Sequence, residues 1–269
     1  MLPDFHIHTS FSGDSQTPAR TQIEQCISLG MKELCITDHH DYDSGMEEEI
    51  FLLNFDAYLP ALCTLRQEYQ NQIQVNIGVE LGLQLHVKDY LKDLVSSLDV
   101  DFIIGSCHFI DQKDPYDPTF FQEKTEQEIY QHFFEVTLKR VQSLDCFDSL
   151  GHLDYVVRYS PTKNQNYSYH AYQEYIDPIL KTLIQKGKAL ECNTAGFRYH
   201  LGQPNPCQDI LKRYRELGGE LITLGSDAHT SPHIGYNFPY IQSLLETCGF
   251  RYLTTYHRRR PTPIPLERV

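Results

Sequence analysis

Apolar residues along the chain fall into two alternating patterns. Short runs that are continuously apolar, or that alternate apolar with polar, are each followed by a stretch in which apolar positions recur at helical spacing. The first pattern predicts strands and the second amphipathic helices. Strands are predicted over residues 4–9, 33–37, 74–80, 102–108, 147–150, 189–193 and 221–225. Helices are predicted over residues 21–30, 55–69, 87–98, 126–143, 171–186, 206–217 and 240–247. Gly30 stands where the first helix should stop, because glycine accepts the left-handed conformation that closes a helix C-terminus. In the third strand Val75, Ile77 and Val79 alternate with polar or small residues. That suits a strand whose outer face packs on helices and whose inner face ends at a polar mouth. Two connections are longer than the rest, an insertion over 109–121 and a polar loop over 160–168. The insertion carries Asp111, Tyr116 and Asp117, and connections of that length are often functional. Residues 250–269 hold Arg258, Arg259, Arg260 and three prolines and are predicted to run as an extended tail.

Seven successive strand–helix repeats point to one α/β domain over 1–269, a barrel of the TIM type with one unit missing or irregular. An open doubly wound sheet is the alternative. The residues at the strand ends favour the barrel. Strand one ends in His6 and His8, strand two in His39, strand three in Glu80 and strand four in His108; strand five ends in His152 and Asp154, and strand seven in Asp227 and His229. In a barrel these ends meet on one face, where active sites lie. In extended backbone residues i and i+2 share a face, so His6 pairs with His8 and Asp227 with His229. Nine His, Asp and Glu at the ends of six strands suit Zn, Mn or Fe, and a carboxylate among them can bridge two ions. Cys107 and Cys192 have the wrong parity or lack partners.

Composition narrows the partners. The chain has 269 residues, 41% of them hydrophobic and 22% charged, as in an ordinary globular protein. The formal charge is 23 − 36 = −13, which argues against nucleic acid and anionic membranes as partners. An anionic substrate then needs local positive charge, from metal or arginine. The eight cysteines are scattered, so no disulfide framework is read. The N-terminus shows no signal peptide, and no apolar run reaches membrane-spanning length. The cytoplasm is the expected location. The oligomeric state is not legible.

At these residues the sequence resembles the polymerase and histidinol phosphatase (PHP) superfamily. The matching motifs are His6-Ile-His8-Thr9, Thr37-Asp38-His39, Gly78-Val-Glu80, Ser106-Cys-His108, Gly151-His152-Leu-Asp154 and Ser226-Asp227-Ala-His229. The resemblance implies a distorted (β/α)7 barrel with three divalent metal ions. It implies that His6, His8, Glu80 and Asp227 hold one ion. Glu80, His108 and His152 would hold a second, with Glu80 bridging, and Asp14, His39 and His229 a third. Asp14 departs from the histidine that many members have there. The runs from Gly151 to Tyr159 and from Asn193 to Arg198 look closest to the histidinol-phosphate phosphatase branch. They imply a phosphomonoesterase acting on the small-molecule ester L-histidinol phosphate, with a metal-held hydroxide as nucleophile.

Around that core, Arg158 and Arg198 are expected to bind phosphate, since a planar guanidinium matches phosphate oxygens; the alternative is pairing with Asp154 or Glu191. Asn193 and Tyr159 are expected beside the substrate, although Asn193 equally suits a turn cap. Asp154 is expected to orient a ligand or to serve as one, and Asp154 or His229 to protonate the leaving alkoxide. His86, His132 and His170 read as solvated, and His200, His233 and His257 stay unassigned. The Arg258–Arg260 run reads as solvated or paired with the acidic body. Two other functions remain open: a phosphoesterase of this fold acting on another ester, and a metal-binding regulatory module without activity.

Overall fold

The structure is a computed structural model that describes residues 1–45 and 50–266. Strands β1 (Asp4–Ile7) and β2 (Glu33–Ile36) flank helix α1 (Ala19–Ser28). The helix stops as predicted: Gly30 takes φ +75°, and the Met31 N–H returns to the Cys26 carbonyl. A two-residue strand β3 (His39–His40) precedes α2 (Phe55–Tyr69), which Asn54 caps by accepting from the Ala57 N–H. Then come β4 (Gln74–Gly82), α3 (Lys88–Ser97), β5 (Phe102–Ser106) and α4 (Glu126–Ser143). Thr125 and Glu128 close a reciprocal capping box on α4, satisfying donors that the first helical turn leaves free. The chain continues through β6 (Ser149–Leu150), α5 (Gln173–Gln185), β7 (Ala189–Asn193), the short α6 (Ala195–Arg198), α7 (Gln208–Glu216), β8 (Ile222–Gly225) and α8 (Phe238–Thr247).

Parallel strands run in the order β1-β2-β4-β5-β6-β7-β8. A bridge between Ile7 and Ala228 brings β8 back to β1, with the His8 N–H donating to the Ala228 carbonyl at 3.0 Å. The result is a nearly closed TIM-like barrel, not an open sheet. Val75, Ile77 and Val79 join the main core between barrel and helices, as their alternation predicts, and Glu80 faces the interior. A smaller cluster of Phe5, Cys35, Phe102, Ile104 and Ala189 is joined by Tyr256. No helix among the described residues is long and apolar enough to cross a membrane.

The C-terminal segment departs from the predicted extended tail. It folds into a hairpin of β9 (Tyr252–His257) and β10 (Arg260–Pro265); residues 267–269 lie outside the described residues. Arg258 and Arg259 form the turn, at φ 48° and 62°. Positive φ at both central residues matches the twist of a two-residue hairpin. The turn is pinned under the barrel at the strand N-termini. Asp101, next to β5, accepts from the Arg258 N–H at 3.1 Å and the Arg66 guanidinium. Asp148, next to β6, accepts from the Arg259 side chain and from the Ile103 N–H at 2.9 Å. The arginine run therefore lies at the end of the barrel opposite the strand C-termini. Arg259→Ala should strand the buried Asp148 carboxylate and lower unfolding free energy by about 2 kcal/mol, the scale of a hydrogen bond to a charged group. Urea denaturation measures this, and metal content should not change.

Candidate metal centre

Eight of the nine side chains at the predicted strand ends converge on one point, all but Asp154. The register of β3 on β4 pairs His39 with Glu80, so the two sit side by side. Glu80 is fully buried and touches five imidazoles. Its Oε1 lies 3.1 Å from His108 Nε2 and 3.0 Å from His152 Nε2, and accepts from Ser106 Oγ at 2.6 Å. Its Oε2 lies 3.1 Å from His6 Nε2, 3.4 Å from His8 Nε2 and 3.0 Å from His39 Nδ1. Asp227, held at φ +55°, places Oδ1 3.5 Å from His8 Nε2, 3.6 Å from His229 Nδ1 and 3.9 Å from His6 Nε2. Asp14 places Oδ2 2.9 Å from His229 Nε2 and 3.6 Å from His39 Nε2.

These spacings fit cations better than they fit hydrogen bonds. His6 Nε2, His8 Nε2, His39 Nδ1 and Glu80 Oε2 are buried, and none makes a hydrogen bond. They lie close together yet do not point at one another. Ligand atoms around a tetrahedral ion with bonds of about 2.1 Å stand about 3.4 Å apart, close to the spacing around Glu80 Oε2. The described residues form overlapping triads able to grip an ion: His6–His8–Glu80, His6–His152–Asp227, Glu80–His108–His152, His8–His39–His229 and His39–Asp41–His108.

Electrostatics point the same way. Burial depresses the His6 pKa, but Glu80, Glu191 and Asp227 overcome it and raise it well above the usual value. Burial likewise opposes a charged His108, yet Asp41 and Glu80 push it up to about 10. Burial raises the carboxyl pKa of Glu80, and His6, His108 and His39 reverse this and hold it ionised. The carboxylates thus call for positive charge at the centre. His8 and His152 go the other way: burial lowers both, leaving neutral imidazoles, the form that ligates metal.

The cavity over this cluster has a volume of about 290 Å³ and is lined by Asp14, His39, His108, His152, Asp227 and His229 on the metal side. Arg158, Arg198, Tyr155, Tyr159, Tyr199, Thr230 and His233 complete the wall. Arg158 is 2% exposed and more deeply built in than a surface phosphate clamp. It donates to Asp227 Oδ2 at 2.8 Å, Asn205 Oδ1 at 2.8 Å and Asn193 Oδ1 at 2.9 Å. Its guanidinium lies over the rings of Tyr155 and Tyr199. Arg198 donates to the carbonyls of Ser226 and Asp227 and to His233 Nδ1.

Two expected residues are not brought to the cavity. Asn193 is fully buried behind it, its amide shared among Arg158, Glu191 and Asp227. Asp154 has both oxygens engaged by Asn205 Nδ2, Tyr167 Oη and the Cys207 N–H, so it reaches the site only through Asn205 and Arg158. Besides Tyr155, Tyr199 and Asn205, which surround Arg158, three residues near the metal groups or Arg198 were not predicted as part of the site. Asp41 lies 3.1 Å from His108 Nδ1, and its i+2 spacing from His39 was a usable signal. Glu191 lies 2.6 Å from His6 Nδ1, on the same face of β7 as Asn193. His233 has no comparable sequence signal.

The PHP domain profile matches residues 4–195. A histidinol-phosphatase of Lactococcus lactis is 34% identical over 258 residues, covering 94% of this chain and 93% of its own length. A probable histidinol-phosphatase of Clostridium acetobutylicum is 30% identical over 257 residues, covering 93% and 95%. The crystal structure of histidinol phosphate phosphatase from Lactococcus lactis complexed with zinc, L-histidinol and phosphate superposes with a TM-score of 0.90 at 31% identity, covering 97% of this chain and all of that one. A solved structure from Listeria monocytogenes at 20% identity and TM-score 0.76, covering 88% of this chain and 99% of that one, shares the fold.

Glu80→Gln should be among the worst single changes for metal binding, because a neutral amide cannot supply the charge on which five imidazoles converge. Zinc titration of chelator-stripped protein should show affinity lowered by more than about 100-fold, beyond the range for an outer partner of a ligand. Unchanged affinity would remove Glu80 from the metal centre.

Proposed function

The chain belongs to the PHP domain family, and on that premise we propose that it is a histidinol-phosphatase, hydrolysing L-histidinol phosphate to L-histidinol and inorganic phosphate. One observation carries the reading: a cluster of imidazoles and carboxylates centred on Glu80 shares a cavity with Arg158 and Arg198. The similarity to histidinol-phosphatases over nearly the whole chain supports the substrate. Three divalent ions, of zinc, manganese or iron, are assigned as the resemblance implies: to His6, His8, Glu80 and Asp227, to Glu80, His108 and His152, and to Asp14, His39 and His229. Bound there, they supply Lewis acidity, lowering the pKa of water and offsetting phosphate charge.

The chain's own residues position the ester. A guanidinium has five N–H donors. Arg158 commits three of its donors to Asn205, Asp227 and Asn193, which leaves two on a side chain that lines the cavity. Fixed by these bonds and by two tyrosine faces, they need no reorganisation as charge grows on the phosphoryl oxygens. Tyr159, on the same wall, hydrogen-bonds Tyr199 at 3.3 Å. Arg198 always donates, so His233 Nδ1 accepts from it at 3.0 Å, and the His233 proton sits on Nε2. A separate small cavity of about 50 Å³ shares Asp14, His39, His108 and Tyr155 with the main one and adds Asp41 and Asp114. The cavity therefore has an arginine side for phosphate and an acidic, aromatic side that suits a cationic alcohol.

Of the two groups considered for protonating the leaving alkoxide, only His229 lines the cavity. That role and metal binding exclude one another. With its Nδ1 proton donated to the Asp227 carbonyl at 3.1 Å, His229 would offer Nε2 to an ion and could not then also carry a proton there. The eight cysteines are all free, which supports a reducing, cytoplasmic setting.

Turnover of L-histidinol phosphate should exceed that of sugar phosphates and phosphotyrosine in a panel run with added Zn, Mn and Fe. Preference for another ester would overturn the substrate assignment. Arg198→Ala should lose about 1–3 kcal/mol of transition-state stabilisation in kcat/KM. Arg158→Ala should lose at least as much and also destabilise the fold, because it leaves Asp227 buried without its partner. Unchanged kcat/KM in both variants would refute their placement.

A further inference from the structure

Glu191 is not among the residues expected to touch metal or substrate, yet it is 1% exposed in the barrel interior. A buried carboxylate needs several donors, and this one has them. Its Oε1 meets His6 Nδ1 at 2.6 Å; its Oε2 accepts from the His152 N–H at 2.8 Å and from Asn193 Nδ2 at 3.2 Å. His6 and His152 belong to the two metal groups that Glu80 joins. Glu191 therefore grips both from behind while Glu80 faces both from in front.

The barrel wall is cut away to admit this contact. A methyl group on Gly225 would stand 2.3 Å from His6 Cβ and 2.5 Å from Glu191 Oε1, and one on Gly151 would stand 2.4 Å from Ser106 Oγ. Strand β8 can carry no side chain beside the His6–Glu191 pair.

We propose that Glu191 is a positioning residue for the metal centre: by accepting the His6 Nδ1 proton it fixes the tautomer in which His6 Nε2 is the ligand, and by accepting from the His152 N–H it ties the spacing of the two metal groups together. This rests on the reading of the cluster as a metal site. A glutamine of the same shape cannot replace it. If its amide nitrogen faces His152, two N–H donors oppose each other. If the nitrogen faces His6, the ring must accept at Nδ1 and carry its proton on Nε2, where the metal should bind.

The test is zinc titration of chelator-stripped protein by competition with a chromophoric chelator, without substrate, on wild type, Glu191→Gln, Glu191→Ala and Glu80→Gln. Glu191→Gln should bind zinc about 10- to 100-fold more weakly, the range for outer partners of ligating histidines, while keeping its far-ultraviolet circular dichroism. In the zinc-loaded wild type, ¹⁵N-imidazole NMR should show His6 protonated at Nδ1 and not at Nε2, and that signature should disappear in Glu191→Gln. Wild-type zinc affinity in a folded Glu191→Gln overturns the proposal. So does lower thermal stability with unchanged affinity and His6 tautomer, since Glu191 would then be only a structural filler. If Glu191→Gln does not fold, the tautomer measured in the zinc-loaded wild type decides: His6 protonated at Nε2 overturns the proposal. Failure of the wild type itself to bind zinc would instead sink the metal reading.

Discussion

The architecture answers to one costly group, the buried carboxylate of Glu80. Taking a charge from water into a protein interior costs several kcal/mol unless it is paired and hydrogen-bonded. Glu80 sits with no exposed surface near the end of β4, so its compensation must come from neighbouring strands. A barrel supplies it geometrically: parallel strands in register present their ends around one axis. His39 arrives by pairing beside Glu80, and His108 and His152 arrive two residues past β5 and β6. His6 and His8 come from β1, which the Ile7–Ala228 bridge closes onto β8. An open sheet would leave β1 far from β8 and separate His6 from Asp227.

A second layer keeps the first in place. Asp38 accepts from the Thr9 N–H at 2.6 Å, from Thr9 Oγ1 and from Ser12 Oγ. Ser12 in turn lies 3.2 Å from His8 Nδ1 and accepts from the His39 N–H at 3.0 Å. The loop after β1 is thereby tied to the end of β2, and both imidazoles inherit its position. Asp41 stands behind His108 in the same manner. Ligating histidines are held this way because the nitrogen away from the ion sets the tautomer and ring orientation.

Much of this was legible in the sequence because strand ends are local. Two residues of spacing and a run of apolar positions identify His6, His8, Asp227 and His229 without tertiary information. Helices 55–69 and 126–143 and strand 189–193 were predicted with the bounds the structure shows. What was not legible depends on partners distant in sequence. The C-terminal hairpin turns at Arg258–Arg259, whereas two-residue hairpins are usually signalled by Asn-Gly or Asp-Gly; here Asp101 and Asp148 pin the turn from far away. Glu191 sat inside an apolar strand, away from the C-terminal ends where chemistry was sought. Asp154 pointed the other way: its motif placed it beside His152, but its side chain turns to Asn205 and Cys207.

Arg158 shows why an acidic chain can present a site for an anion. A solvated arginine near so many carboxylates would collapse onto one of them and offer little to a phosphate. Here each fixed bond uses a different nitrogen: Nε to Asn205, Nη1 to Asp227 and Nη2 to Asn193. Two of those partners are neutral amides, so the guanidinium is oriented without being fully neutralised. Asp154 secures the arrangement one step back, accepting from Asn205 Nδ2 at 2.6 Å so that Asn205 Oδ1 turns toward Arg158. The amide relays direction and leaves the charge of Asp154 at a distance. Tyr155 and Tyr199 cover the ring faces, which excludes water and strengthens what the remaining donors can do. The acidic surplus of the chain and the arginines of its cavity are therefore compatible: Arg158 pairs directly with one carboxylate, Asp227, and buried amides hold Asp154 one step back.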